Sequence, residues 1–414
     1  MTFHAAPATD RPLPASGRWL AAILLPVFFF ALPLSTGATT TAGALLLLGA
    51  LAFAPWLRFQ LMRFDRRLII AVLLVPMTAI LGSVVAFIDD HAPWKVLRLH
   101  RKELVFLAVV VFLAATAYHE RARRALWVGT FVAAALTAVN WSLERALDGG
   151  PFNPVTPVSM THTFHNFIVG TVSLWMLLSA FERRGERPAW RTAAIAAAGL
   201  AGLWTVFFIV SGRSGQLGVL AMLVSLLALR LPKRWLPAMV TVVALLATAL
   251  LLLPTTFSER INVARAELQA YAVGQQLTSV GLRLTFWKTS VDLIEERPLL
   301  GHGTGSYRAV QDARLGVAAH SEKSTPHPHS DLLHFWVERG IAGPLALLLV
   351  YLALWRAAAR AGSASSRSVM QAAIAGFFLV GLANAFYFDW ASGIFLLSLC
   401  ALMIAPTKAS DTAS

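Results

Sequence analysis

Three stretches of this chain carry side chains able to do chemistry, and each interrupts or borders an apolar run. The first is SGRSGQ, residues 211–216. Ser211 and Ser214 can cap helix ends, Gly212 and Gly215 permit a tight turn, and Arg213 stands between them. A guanidinium at a membrane edge is costly unless it reaches water or meets an anion. A phosphate ligand is the preferred reading, with amides at the start of the next helix as further donors. A snorkelling arginine is the plain alternative. The second stretch is GLRLTFWKTSVDLIEERPLLGHGTG. Leu284, Trp287, Val291 and Ile294 recur at helical spacing, which predicts an amphipathic helix with Arg283 and Lys288 turned to a cavity or to water. The third is HPHSDLLHFWVERG. Pro326 and Pro328 hold the approach extended, and Ser330 or Asp331 can cap the helix that follows. His329 then falls at a helix N-terminus. The dipole and nearby arginines would lower its pKa and keep it neutral, as a general base requires. His327 and His329 also have the H-x-H spacing of a metal pair, the minor reading here.

Weaker candidates surround these. His162 and His165 lie three apart, a metal pair in principle, with helix-start packing the favoured reading. GHGTGSY lacks the strand–loop–helix setting and lysine spacing of a nucleotide loop, so it is taken as a flexible loop from which Tyr307 reaches toward a cavity. His334 is expected to pack in the bundle, and Glu338 to satisfy an internal arginine. Asn384 and Asp389 flank the aromatic turn NAFYFDW. Asp389 is either an orienting acid for His329 or an arginine, or a plain turn acid. A metal-binding carboxylate pair and a G-x-S-x-G elbow are both missing, which favours a reaction needing no metal, cofactor or cytosolic nucleotide. The single Cys400 excludes an internal disulfide and a thiolate cluster.

The elements that must position these groups are apolar helices. Of 414 residues, 57% are hydrophobic and 14% charged, too little charge to cover a soluble domain. Mean hydropathy is +0.65. Apolar runs predict about twelve spans and an all-α polytopic membrane protein, since unpaired backbone cannot be left in lipid. The expected organisation is a cytoplasmic tail over 1–18, nine spans over 19–253, a mainly helical outer loop over 254–329, three spans over 330–404 and a tail over 405–414. The spans include 330–354 as a single helix and 193–210 as another.

The net charge of +14 is spread over short loops, which favours topology and lipid-phosphate contacts over nucleic acid. Arg11 and Arg18 precede the first span. Arg58, Arg63, Arg66 and Arg67 form one basic connection; Arg121, Arg123 and Arg124 another; Arg183, Arg184, Arg187 and Arg191 a third. Arg230, Lys233 and Arg234, and then Arg356, Arg360 and Arg367, make two more. Every second connection is basic, so both termini are expected in the cytoplasm and the long loop, SGRSGQ and the 153–165 region outside. One outer loop breaks the pattern: Lys95, Arg98, Arg101 and Lys102 alternate with Trp94, Leu97 and Leu99. A misread span, a lipid anchor and a surface for an anionic substrate remain open readings.

Three segments, SGRSGQL, GLRLTFWKTS and HPHSDLLHFWVERGIAG, together with the long loop before the last spans, resemble the O-antigen ligase and polymerase superfamily, and most of all the ligases. The resemblance implies a GT-C-like, metal-independent, inverting glycosyltransferase of the bacterial inner membrane. It would take a glycan from undecaprenyl diphosphate and join it to a lipid A–core acceptor on the periplasmic face. It makes Arg213 and Arg283 the two family arginines and His329 the family histidine, with Gln216 and Tyr307 as weaker donor-site residues. His329-Ser330 stands where many relatives have His-Asn. The basic loop of Lys95, Arg98, Arg101 and Lys102 then becomes a candidate dock for acceptor phosphates. An O-antigen polymerase, a protein O-oligosaccharyltransferase and a lipid or solute transporter are the competing functions.

Overall fold

A computed structural model describes residues 12–62, 65–89, 93–146, 161–182, 184–186, 188–253, 256–274, 277–318, 321, 323–360 and 364–404. Among these residues the architecture is helical throughout. Residues up to 11, from 405 onward, and 153–160 of the expected outer loop lie outside the described set, as do Arg63, Arg183 and Arg187.

In chain order, α1 (Ala15–Ala31) and α2 (Thr36–Ala52) are followed by the short α3 (Ala54–Met62) and by α4 (Arg66–Ile88). Asp65 starts α4, its carboxylate accepting from Arg67 N–H at 2.9 Å. A single turn, α5 (Trp94–Leu97), leads to α6 (Arg101–Ala115), then α7 (His119–Ala146), α8 (His162–Glu182) and α9 (Ala189–Trp204). The polar insert follows α10 (Arg213–Arg230) and α11 (Leu236–Leu252). It contains α12 (Thr256–Ala272), α13 (Ser279–Glu296) and α14 (Tyr307–Leu315), and α15 (Asp331–Arg339) follows it. The chain closes with α16 (Ala342–Ala358), α17 (Ala364–Gly381) and α18 (Trp390–Ile404).

Five segments are long and apolar enough to cross a membrane: Arg66–Ile88, His119–Leu143, His162–Glu182, Ala189–Ile209 and Arg213–Arg230. Helices α1, α2, α16 and α18 are shorter apolar helices. The protein is thus a multi-pass helical membrane protein.

Two expected spans have a different form. The 330–354 stretch is two helices, broken between Arg339 and Ala342. Gly340 makes the break at φ +58°, where a Cβ would run into the backbone of Leu299. The 193–210 stretch ends in a π-helical turn over Thr205–Ile209. Such turns widen a helix and interrupt its regular ladder.

Helix α4 serves as a ruler for the two ends of the bundle. Asp65 at its start pairs with Arg360 beyond α16, and Asp89 at its end pairs with Arg297 beyond α13. Helix α17 then runs from the Arg360 end back to the insert end. Near its close, Gly376 packs on the Gly218 carbonyl of α10, where a Cβ would lie 2.8 Å away. The start of α10 and the end of α17 therefore meet at one end of the bundle, next to the insert. An edge-to-face cluster of Phe167, Phe377 and Phe386 fixes that meeting, with centroids 5.3–5.5 Å apart.

Candidate active site

Arg213 is the first residue of α10 and is aimed by the turn before it. The Val210 carbonyl, left over where the π-helical turn ends, accepts from the side-chain amides of Asn166 at 2.9 Å and Gln216 at 3.3 Å. Gln216 also donates to the Val206 carbonyl at 2.9 Å and is fully buried. Its amide donors therefore brace the turn that presents Arg213. Gly215 lets α10 approach the Thr163 carbonyl of α8 too closely for any Cβ.

Both terminal nitrogens of Arg213 donate to Oε2 of Glu267 on α12, at 3.3 and 3.4 Å, and one also donates to Ser279 Oγ at 3.2 Å. The same Glu267 oxygen accepts from Val280 N–H at 3.2 Å, in the first turn of α13. Arg283 lies one turn beyond Ser279 and so shares its face. Burial, then the positive charge of Arg213, hold the Arg283 pKa below the ordinary arginine range, with Glu267 opposing. The three charges thus form one cluster of two cations and one carboxylate.

Phe286, one turn further on, links this cluster to the histidines: its ring lies 6.2 Å from that of His329 with 20° between the planes. His329 has φ +54°, a left-handed conformation disfavoured for a residue with a Cβ. Its N–H donates to His327 Nδ1 at 3.3 Å. Ser330 caps α15 by accepting from Leu333 N–H at 3.4 Å. The cap falls on the serine, the first of the two expected alternatives.

The tautomer of His329 follows from its partners. Asn384 Oδ1 accepts from Ala385 N–H at 2.9 Å, which identifies that atom as the amide oxygen. It lies 3.4 Å from His329 Nδ1, a contact made by the tautomer with its proton on Nδ1, in which Nε2 keeps a free lone pair. Burial, then the charge of Arg283, lower the His329 pKa, while the Asn384 contact raises it. His327 is lowered further, to about 3, by burial first and then by His329, Arg283 and Arg308. Both rings are therefore neutral near pH 7. The electrostatic influence of Arg283 on both ties the histidine turn to the arginine pair.

Asp331 holds the Asn384 side of this arrangement. Its carboxylate accepts from the N–H groups of Phe386, Tyr387 and Phe388, at 3.0, 2.7 and 2.9 Å. Asp389, for which an orienting role and a turn role were both open, accepts from Ala391 N–H at 2.8 Å and starts α18. Asn384 orients His329, and Asp389 fills its alternative role as a turn acid.

The remaining candidates divide into interior and surface groups. Tyr307 is fully buried, with its hydroxyl 3.1 Å from Ser290 Oγ, in the packing between α13 and α15. GHGTGSY is ordered by main-chain bonds: His302 and Gly303 N–H donate to the carbonyls of Val337 and Glu338, and Thr304 N–H to that of Gly82. His165 is buried within α8. Among the described residues, no three His, Cys, Asp or Glu side chains are grouped so as to hold a metal ion. Lys102 is fully buried; its ammonium donates to the Leu99 carbonyl at 3.3 Å and lies 3.8 Å from Glu103. It cannot be part of an exposed basic surface. Glu103 also accepts from Tyr387 at 3.2 Å, and the Arg339 guanidinium donates to His100 Nε2 at 2.9 Å, so these groups form an internal network. Arg98 and Arg101 do face outward, Arg101 with its guanidinium 4.6 Å from the Trp390 ring centre. Lys95 lies in α5.

Comparisons with known proteins find similarity over part of the chain. Residues 196–349 match the O-antigen ligase family model, a range that contains Arg213, Glu267, Arg283 and His329. An uncharacterised protein of Haemophilus influenzae is 27% identical over 125 residues, covering 29% of this chain and 31% of that one. An O-antigen ligase of Escherichia coli is 24% identical over 130 residues, or 30% of each chain. The chain thus aligns with about a third of the length of these curated relatives.

Proposed function

From an O-antigen ligase family domain over residues 196–349, we propose that the protein is an inverting membrane glycosyltransferase. It transfers a glycan from undecaprenyl diphosphate to a sugar hydroxyl of lipid A–core. The observation that carries this reading is that one face of α13 brings Ser279, which bonds Arg213, then Arg283, and then Phe286, which stacks on His329, into one place.

The chemistry follows from that pairing. The diphosphate leaves from the anomeric carbon as an anion, and two guanidiniums neutralise the charge that grows on its oxygens. His329 Nε2 removes the proton of the attacking hydroxyl as its oxygen bonds to the anomeric carbon. Attack opposite the leaving group inverts that centre. Guanidinium charge serves where other diphosphate-cleaving sites use a cation, so the proposed step calls on no metal. The basic connections of Arg121, Arg123 and Arg124, of Arg230, Lys233 and Arg234, and of Arg356, Arg360 and Arg367 support a cytoplasmic position for their end and a periplasmic one for the site, by the positive-inside rule. Arg98 and Arg101 are the proposed contacts for acceptor phosphates. Gln216 and Tyr307 act by bracing the turn and the helix packing, respectively.

The test is reconstitution of the purified protein with lipid-linked glycan and three separate acceptors: lipid A–core, a polyprenyl-linked glycan and a protein. Transfer to lipid A–core is expected. Exclusive transfer to the second or third acceptor would make the protein a polymerase or an oligosaccharyltransferase. His329→Ala should fold normally and lose about 10²–10⁴ in rate. Undiminished ligation by that variant would remove His329 from the mechanism.

A further inference from the structure

The arginine cradle is already filled by a carboxylate. Glu267 Oε2 receives both terminal nitrogens of Arg213 and the Val280 amide, three donors that a diphosphate oxygen would also use. Glu267 also lies within electrostatic reach of Arg283. A diphosphate brought to both arginines would meet this negative charge at close range.

The helix that brings Glu267 is shallowly seated. From position 261 onward, the half-buried residues of α12 are Ile261, Ala264, Glu267, Ala270 and Tyr271, while the positions between them are exposed. The line at 261, 264, 267 and 270 repeats every three residues, so it winds around the helix instead of sinking one continuous face, and two of its four side chains are alanine. In this half of α12, burial of large apolar side chains adds little to the Arg213–Glu267 pair.

We propose that Glu267 is an exchangeable counter-ion of the diphosphate subsite. The donor diphosphate binds by displacing the carboxylate from Arg213, and α12 shifts to let it leave. After transfer, Glu267 returns to Arg213 and helps expel undecaprenyl diphosphate. The empty site thus avoids two adjacent uncompensated guanidiniums, and the occupied site avoids being held by its own product. This inference rests on the diphosphate reading of the arginine pair.

The test measures equilibrium binding of undecaprenyl diphosphate to the full-length protein in nanodiscs, alongside product inhibition of transfer. Glu267→Gln keeps an oxygen for the Val280 amide and removes the charge. It should bind undecaprenyl diphosphate at least about tenfold more tightly, equivalent to about 1.4 kcal/mol, with the product-inhibition constant falling in step. Ser279→Ala removes the other side-chain partner of Arg213 without changing charge, and should leave affinity within about twofold, far short of the tenfold step. Equal or weaker binding by Glu267→Gln, with binding lost in Arg213→Ala, would overturn the counter-ion role and leave the arginine clamp standing. Identical binding by wild type, Glu267→Gln and Arg213→Ala would overturn the diphosphate reading itself.

Discussion

Asn384→Asp should move the acid limb of the kcat/KM profile to higher pH while preserving most of the rate at the alkaline plateau. Oδ1 of Asn384 lies 3.4 Å from His329 Nδ1 and also accepts from Ala385 N–H at 2.9 Å. Aspartate can keep both contacts and adds one negative charge. At such a separation, an effective dielectric near 20 corresponds to roughly 5 kcal/mol of attraction for imidazolium. Observed shifts for an opposite charge at close range are about 1–3 pKa units, and the partial exposure of His329 places this one near the lower end, at about 1–2. The direction is set by the neutral requirement. Wild-type His329, its pKa lowered by burial and by Arg283, retains the base form below the usual histidine range. Activity is complete above the folded-state pKa and is lost as pH falls through it. Raising that pKa brings the loss at higher pH. Asn384→Ala removes the acceptor and the pKa-raising contact, so its acid limb should move downward. Its plateau should fall by up to about tenfold, the upper end of what one neutral hydrogen bond is worth. Initial rates across pH with lipid A–core well below its KM measure both. An Asn384→Asp limb that stays in place or moves downward would refute the assignment of the Nδ1 proton to Asn384, and with it Nε2 as the base.

Arg213→Ala and Arg283→Ala should each raise the donor KM about 10- to 100-fold, as expected for charge-assisted contacts of about 1.5–3 kcal/mol, and donor titration at fixed acceptor measures this. Arg98→Glu with Arg101→Glu should raise the acceptor KM more than the donor KM; an unchanged acceptor KM would remove them from docking. Lys102→Met should act on stability, because it leaves Glu103 buried without its ammonium partner at 3.8 Å. A loss of about 3–5 kcal/mol is expected, read by thermal unfolding in detergent, with donor and acceptor KM unchanged in the folded protein. Gly340→Ala should lower the melting temperature as well, since φ +58° costs a side-chain-bearing residue about 1–2 kcal/mol before the clash with Leu299 is counted.

The legible parts of the site were those with local causes. Arg213 stands between two glycines and two serines at the end of an apolar run, and Arg283 sits in an amphipathic pattern. His329 follows two prolines and precedes a helix cap. Glu267 escaped notice because it is one of several charged residues in a polar helix, and only contact with Arg213 separates it from the others. Asn384 had the weaker signal of a polar residue beside an aromatic turn, with Asp389 competing for its role. Lys102 misled in the opposite direction. It belongs by spacing to the same basic run as Arg98 and Arg101, yet it turns inward to Glu103 and the Leu99 carbonyl.

The sequence by itself determined a helical membrane chain, a polar insert before the last apolar segments, and which residue types could neutralise a diphosphate or take a proton. Those properties depend on composition, helical period and the intolerance of lipid for unpaired backbone. Only the tertiary structure decided which polar groups share a site. It set the α10 turn against α8, packed α17 so that its end meets the start of α10, and tied the Asn384 loop to Asp331. It also set Asn384 against His329 and Glu267 against Arg213. Both are long-range pairings, 55 and 54 residues apart in the chain. Local pattern carries no record of such distances, because they are set by how whole helices pack.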